Sequence, residues 1–148
     1  MIFHGGYNEI RLPKIIKGKY AKDFGTGFYC TEFREQAIRW SKRFETPIIS
    51  VYNVKSNSKL CVLQFTEMTE EWLEFIVNCR AGIEHTYDIV SGPMANDQIY
   101  NYIADYIQGI LTKEQFWVLA KFKHPTHQIC FCTQHALNSL TFINAEKL

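Results

Sequence analysis

The chain has 148 residues, 47% of them hydrophobic and 15% aromatic, and a formal net charge of +1. That composition excludes a disordered chain, and near-neutrality offers no global field to a nucleic acid or a membrane surface. The length fits a single domain over residues 1–148, able to bury about 70% of its unfolded surface.

Ile2-Phe3-His4 is a short apolar run stopped by Gly5-Gly6 and reads as a buried strand. The N-terminus has neither the basic region nor the long apolar run of a signal peptide. Residues 7–26 carry Pro13, Gly18 and Gly25 and read as an irregular loop. Within it, Lys14, Lys17, Lys19 and Lys22 fit either a solvated loop or an anion-facing rim. Gly27–Thr31 reads as a second strand. Phe33, Ala37, Trp40 and Phe44 then fall on one face of a helix.

Pro47 opens a strand, Ile48–Tyr52, and Ser56-Asn57-Ser58 turns into another, Leu60–Phe65. Trp72, Phe75, Ile76 and Cys79 form a second helical stripe. Tyr87–Val90 is a short strand stopped by Gly92-Pro93. From Asp97 the pattern is helical, with Ile99, Ile103 and Ile107 inward. Thr112-Lys113-Glu114-Gln115 fits a capping box opening a further helix. Gln128–Cys132 reads as a strand, Gln134–Ser139 as a short helix and Leu140–Ile143 as a last strand. Strands and helices mixed without strict alternation predict an α+β fold.

No segment approaches the roughly 20 apolar residues of a membrane span. The five cysteines, Cys30, Cys61, Cys79, Cys130 and Cys132, contain no CxxC pair. That usage predicts reduced thiols in a cytoplasm. His124, His127, Cys130, Cys132 and His135 gather zinc-type ligands, but without the usual spacing, so no metal is expected. A Cys30–His4 nucleophile lacks an evident orienting group.

Three phrases carry the chemistry: His4-Gly5, Gly25-Thr26-Gly27-Phe28-Tyr29, and Trp40 on the following helix. Two aromatic faces delivered by a strand and a helix can hold one flat ring. Backbone beside glycine can approach a ligand closely. Together these phrases resemble the nicotinamide pocket of ADP-ribosyltransferases, in the diphtheria-toxin and poly(ADP-ribose) polymerase branch with its His-Tyr-Glu signature. Residues 2 to about 143 also resemble a small bacterial family catalogued as a domain of unknown function. Its recurring phrases look like His-Gly, Asp23–Tyr29 and Tyr87–Asp97.

The resemblance implies an ADP-ribosyltransferase-like split β-sandwich of two antiparallel sheets with flanking helices. It implies NAD as co-substrate and transfer of ADP-ribose to a protein, nucleic acid or small-molecule acceptor. His4 would bond a ribose hydroxyl, and Gly5 the nicotinamide amide. Gly27 would belong to the cofactor loop, and Tyr29 and Trp40 would sandwich the ring. Gln128 stands where the signature has glutamate, so Asp97 or Asp88 is a candidate source of the missing charge. No Glu-x-Glu occurs, which disfavours arginine as target. By family analogy such a chain is a toxin held by an antitoxin or regulatory protein. The alternatives are an NAD glycohydrolase, an inactive ADP-ribose- or NAD-binding or protein-interaction module and, more distantly, an RNA 2′-phosphotransferase.

Each residue also has a plain structural reading. His4 can be a satisfied half-buried histidine, Tyr29 a core aromatic, and Trp40 a core residue between Phe33 and Phe44. Gln128 can cap its strand, Asn96-Asp97 can cap a helix, and Asp23, which beside Gly25 could hold the loop over the cofactor, can be a turn residue.

Overall fold

The structure, a computed structural model, describes residues 1–19, 21–95, 97–120 and 126–148, with Asp97 described by its backbone alone. Two sheets form it. The first is three-stranded, in the order β1 (Ile2–Gly6), β3 (Ile48–Val54), β7 (Leu140–Lys147), and antiparallel throughout. The second is four-stranded, in the order β2 (Phe28–Cys30), β6 (Gln128–Phe131), β5 (Ile89–Gly92), β4 (Val62–Gln64). The α+β class is as expected. The expectation of two antiparallel sheets fails at one pair: β4 runs parallel to β5. The long connection between them, through α2 (Glu70–Arg80), is what permits it.

Strand alternation explains the layers. Ile2, Phe28, Cys30, Tyr52, Ile129 and Phe131 face one another between the sheets. The other face of the first sheet buries Ile49 and Val51 against Ala37 of α1 (Arg34–Ser41). The other face of the second sheet buries Val90 and Cys130 with Trp72 and Ile76 of α2. Ile99 and Ile103 of α3 (Asp97–Ile107) and Phe116 of α4 (Lys113–Ala120) complete that core. A short α5 (Gln134–Leu137) leads into β7.

Several local signals held. Thr69 caps α2 by accepting from the Trp72 amide, and the expected α2 stripe is buried at Trp72, Ile76 and Cys79, with Leu73 buried in addition and Phe75 half-buried. The Thr112–Gln115 capping box is reciprocal, with bonds of 2.9 and 3.2 Å. Two stripes held only in part: Ile99 and Ile103 of α3 and Ala37 of α1 are buried as expected. Ile107 is exposed at the end of α3. The α1 stripe is also displaced: Phe33 and Phe44 are exposed, α1 ends at Ser41, and its buried face is Gln36, Ala37 and Ser41. Trp40 therefore does not lie in a core stripe. Among the described residues, no helix is long and apolar enough to cross a membrane.

Candidate active-site cleft

The sheets meet through one backbone pair. The Phe3 amide donates to the Thr31 carbonyl and the Thr31 amide to that of Phe3, both at 2.9 Å. One step further along this antiparallel pairing, Gly5 would bond Tyr29. It does not. The His4 ring intervenes, and its Nδ1 takes the Tyr29 carbonyl at 2.7 Å. Residues of one parity in a strand point their N–H and C=O to the same side. Gly5 therefore aims both groups, like Phe3, away from β3 and into the gap that His4 wedges open. Among the described residues nothing bonds them. Gly5 has a packing reason as well, because a Cβ there would lie 2.1 Å from the Ala37 carbonyl oxygen. Only glycine lets α1 sit this close to β1.

The gap opens into a cavity of about 640 Å³, within the range of small-molecule sites. His4, Gly5, Tyr29, Trp40 and Gln128 all line it. Five residues from four separate segments of the chain thus converge. Trp40 is half-buried, and no ring contact joins it to Tyr29, so the two aromatics share the cavity without filling it.

A carbonyl only accepts, so His4 Nδ1 carries the proton and Nε2 presents a lone pair. Gly6 keeps space beside that nitrogen, since a Cβ there would sit 3.3 Å from it. Burial holds His4 below its ordinary pKa; Lys22 pushes the same way, and the Tyr29 hydrogen bond opposes them. His4 is therefore a neutral acceptor at pH 7. The ring stacks on Phe28 at 4.4 Å. The Tyr29 hydroxyl accepts from the Phe24 amide at 3.1 Å and donates to the Gly25 carbonyl at 2.6 Å. Burial first, then Cys130, raises its pKa far out of the working range. The Lys22 ammonium lies 4.8 Å from the centre of its ring.

Behind Gln128 lies a residue that the sequence offers either as a turn residue or as a brace for the loop over the cofactor. Asp23 is buried, ion-paired with Arg80, and accepts from the Ala95 amide at 2.9 Å and from Gln128 Nε2 at 3.0 Å. The Trp72 indole holds the Ala95 segment by donating to the Pro93 carbonyl at 2.9 Å. Gln36 of α1 pins the approach to β6 through both backbone groups of His127. Neither Arg80 nor Gln36 has a sequence signal beyond a polar residue on an amphipathic helix. Lys22, Arg39, Arg43 and Arg80 surround the cavity, and Asp23 is the single carboxylate among its described lining residues.

The remaining candidates lie elsewhere. Gly27 lines a second cavity of about 390 Å³, with Lys17, Lys19, Lys22, His85 and Cys132. A Cβ at Gly27 would strike Cys130 Sγ at 2.4 Å, so its packing role is to let β2 start tight against β6. Asp88 does not line the cleft. Its carboxylate clamps the Cys61 amide and the Thr133 hydroxyl, and these bonds hold its pKa low. The side chain of Asp97 and residues Asn96 and His124 lie outside the described residues. Cys30 is fully buried and burial raises its pKa, which opposes a thiolate nucleophile. Among the described residues no three His, Cys, Asp or Glu side chains are grouped to hold a metal.

Residues 1–142 match the family described as protein of unknown function (DUF3990). The chain belongs to that family. Neither a curated protein nor a solved structure matches this DUF3990 chain.

Proposed function

We propose that the chain is an NAD-dependent mono-ADP-ribosyltransferase whose two sheets form an ADP-ribosyltransferase-like split β-sandwich. One observation carries the reading. His4, by taking the Tyr29 carbonyl, leaves the Gly5 amide and carbonyl facing a cavity that Tyr29, Trp40 and Gln128 also line. A carboxamide offers one acceptor and two donors, which an adjacent N–H and C=O complement. The aromatic side chains supply faces for the nicotinamide ring, provided the Lys22 ammonium leaves the Tyr29 face. His4 Nε2 accepts from a ribose hydroxyl. Arg39 and Arg43, at the rim of the cleft, suit the diphosphate.

Cleavage breaks the bond between nicotinamide and the anomeric carbon, and its electron pair leaves with neutral nicotinamide. Positive charge then spreads over the ribose, and the acceptor's nucleophile attacks the opposite face. The chain's work is orientation and the placement of acceptors around developing charge. All five cysteines are unpaired, which fits a reducing cytoplasm. The acceptor is a macromolecule, and a regulatory protein that plugs the cleft is the partner expected of a toxin.

The test is incubation of the chain with doubly labelled NAD and a cell lysate. Nicotinamide release with ADP-ribose label on macromolecules is the expected result. Release without transfer makes the protein an NAD glycohydrolase. Binding without release makes it a binding module, and absence of both rejects the nicotinamide pocket.

A further inference from the structure

Gln128 starts β6 and is 4% exposed. Its amide has two unlike ends, and Asp23 decides which end faces inward. A carboxylate accepts only, so the Gln128 NH₂ must turn toward it, at 3.0 Å. Oε1 is then left for the cleft, and no described residue bonds it. Asp23 is in turn fixed by Arg80 at the end of α2 and by the Ala95 amide. The loop after β1, α2, the segment before α3 and β6 all converge on this one buried carboxylate. The lining otherwise carries four cations, Lys22, Arg39, Arg43 and Arg80. Among the described lining residues, a cationic transition state would find no negative group except this one.

We propose that Asp23 is the positioning residue of the cleft. It turns Gln128 so that Oε1 accepts from a substrate ribose hydroxyl, and it polarises that amide with the negative charge glutamine lacks. The charge that appears missing at residue 128 stands one hydrogen bond behind it. This rests on the reading of the cleft as an NAD site. It also reverses a simple expectation. Gln128→Glu should not raise the rate, because a second carboxylate would sit against Asp23, and like charges in one site raise a pKa.

The experiment is a cycle of Asp23→Asn, Gln128→Glu and the double variant, read by nicotinamide release from NAD and by thermal melting from pH 5 to pH 8. Asp23→Asn should lower kcat about a hundredfold and move KM for NAD by no more than about threefold. Gln128→Glu should also lower kcat. The introduced carboxyl has a folded pKa above its unfolded one. Its stability is complete below the unfolded value and declines as pH rises through the folded value. Gln128→Glu should therefore melt progressively lower than the wild type from pH 5 to pH 8. The double variant, with one carboxylate again, should lose that pH dependence and recover at least about tenfold in kcat over Gln128→Glu.

Wild-type kcat in a folded Asp23→Asn variant overturns the proposal. So does a Gln128→Glu variant that melts like the wild type at pH 8, a measurement that stands even if Asp23→Asn does not fold. A wild-type chain that releases no nicotinamide overturns the cleft reading and this role together; an active one with an indifferent Asp23 overturns this role alone.

Discussion

Two cavities share Ala21 and Lys22 as a common wall, and each holds a histidine bonded to a backbone carbonyl. In the second cavity His85 spends both nitrogens: Nε2 donates to the Phe24 carbonyl at 2.9 Å, and Nδ1 accepts from the Tyr87 amide at 3.1 Å. Its ring is flanked by Phe75 and Tyr87 at 5.1 and 5.6 Å. His4 spends one nitrogen on Tyr29 and keeps the other. The difference lies in the backbone. His85 ties a turn to the loop above it, whereas His4 sits where two strands part. A histidine that completes a turn is a strut; one that interrupts a ladder leaves donors and acceptors for something else.

The comparison breaks most visibly at the glycine that frames the wedge. Gly5→Ala should destabilise the fold by about 3 kcal/mol in denaturant unfolding, because its Cβ meets rigid helix backbone. A near-neutral Gly5→Ala would mean that α1 can retreat and that the frame is soft. His85→Ala should cost about 2 kcal/mol of stability, by stranding the Phe24 carbonyl and removing ring packing, and should leave NAD affinity unchanged. Loss of NAD binding in that variant would erase the distinction between the two histidines.

Trp40→Ala sharpens the contrast from the cleft side. Trp40 lies outside the buried face of α1, so melting should barely move. NAD affinity should fall by about 1–2 kcal/mol, the scale of stacking a base on an aromatic ring. Equal loss of stability would return Trp40 to a packing role.

The smallest effect is on pH. His4 has a lowered folded pKa. Its contribution to stability is therefore full above the unfolded value near 6.5 and declines as pH falls toward the folded value. Protonated Nε2 can no longer accept, so NAD affinity should drop about three- to tenfold as pH falls through the folded value. Calorimetry in steps downward from pH 7.5 reads this directly, and a His4→Ala variant with the same acid limb would assign it elsewhere.

Much of this was legible because it is local. Gly5 and Tyr29 belong to short strands bounded by turn residues, and Gln128 opens a strand of β-branched, sulfur and aromatic residues. The capping box and the α2 stripe are likewise readable within a dozen residues. Asp23 was legible only as a turn residue or a brace for the loop beside Gly25; its partners Arg80, Ala95 and Gln128 lie far along the chain. The α1 stripe misled for a related reason. A short helix is oriented by what it touches, and here the Gly5–Ala37 approach turned Gln36 inward and left Phe33 outside. The parallel β4–β5 pair was hidden too, because residue alternation says nothing of strand direction.

The strand order also sets a timetable. Both sheets are completed from the last quarter of the sequence: β7 closes the first, and β6 is the middle strand that joins β2 to β5 in the second. During synthesis His4, Gly5, Tyr29 and Trp40 emerge early and wait for partners. The cleft cannot form until Gln128 and its strand have left the ribosome. The cleft is thus absent until β6 has emerged, and any partner that recognises the assembled cleft would meet it only from then on.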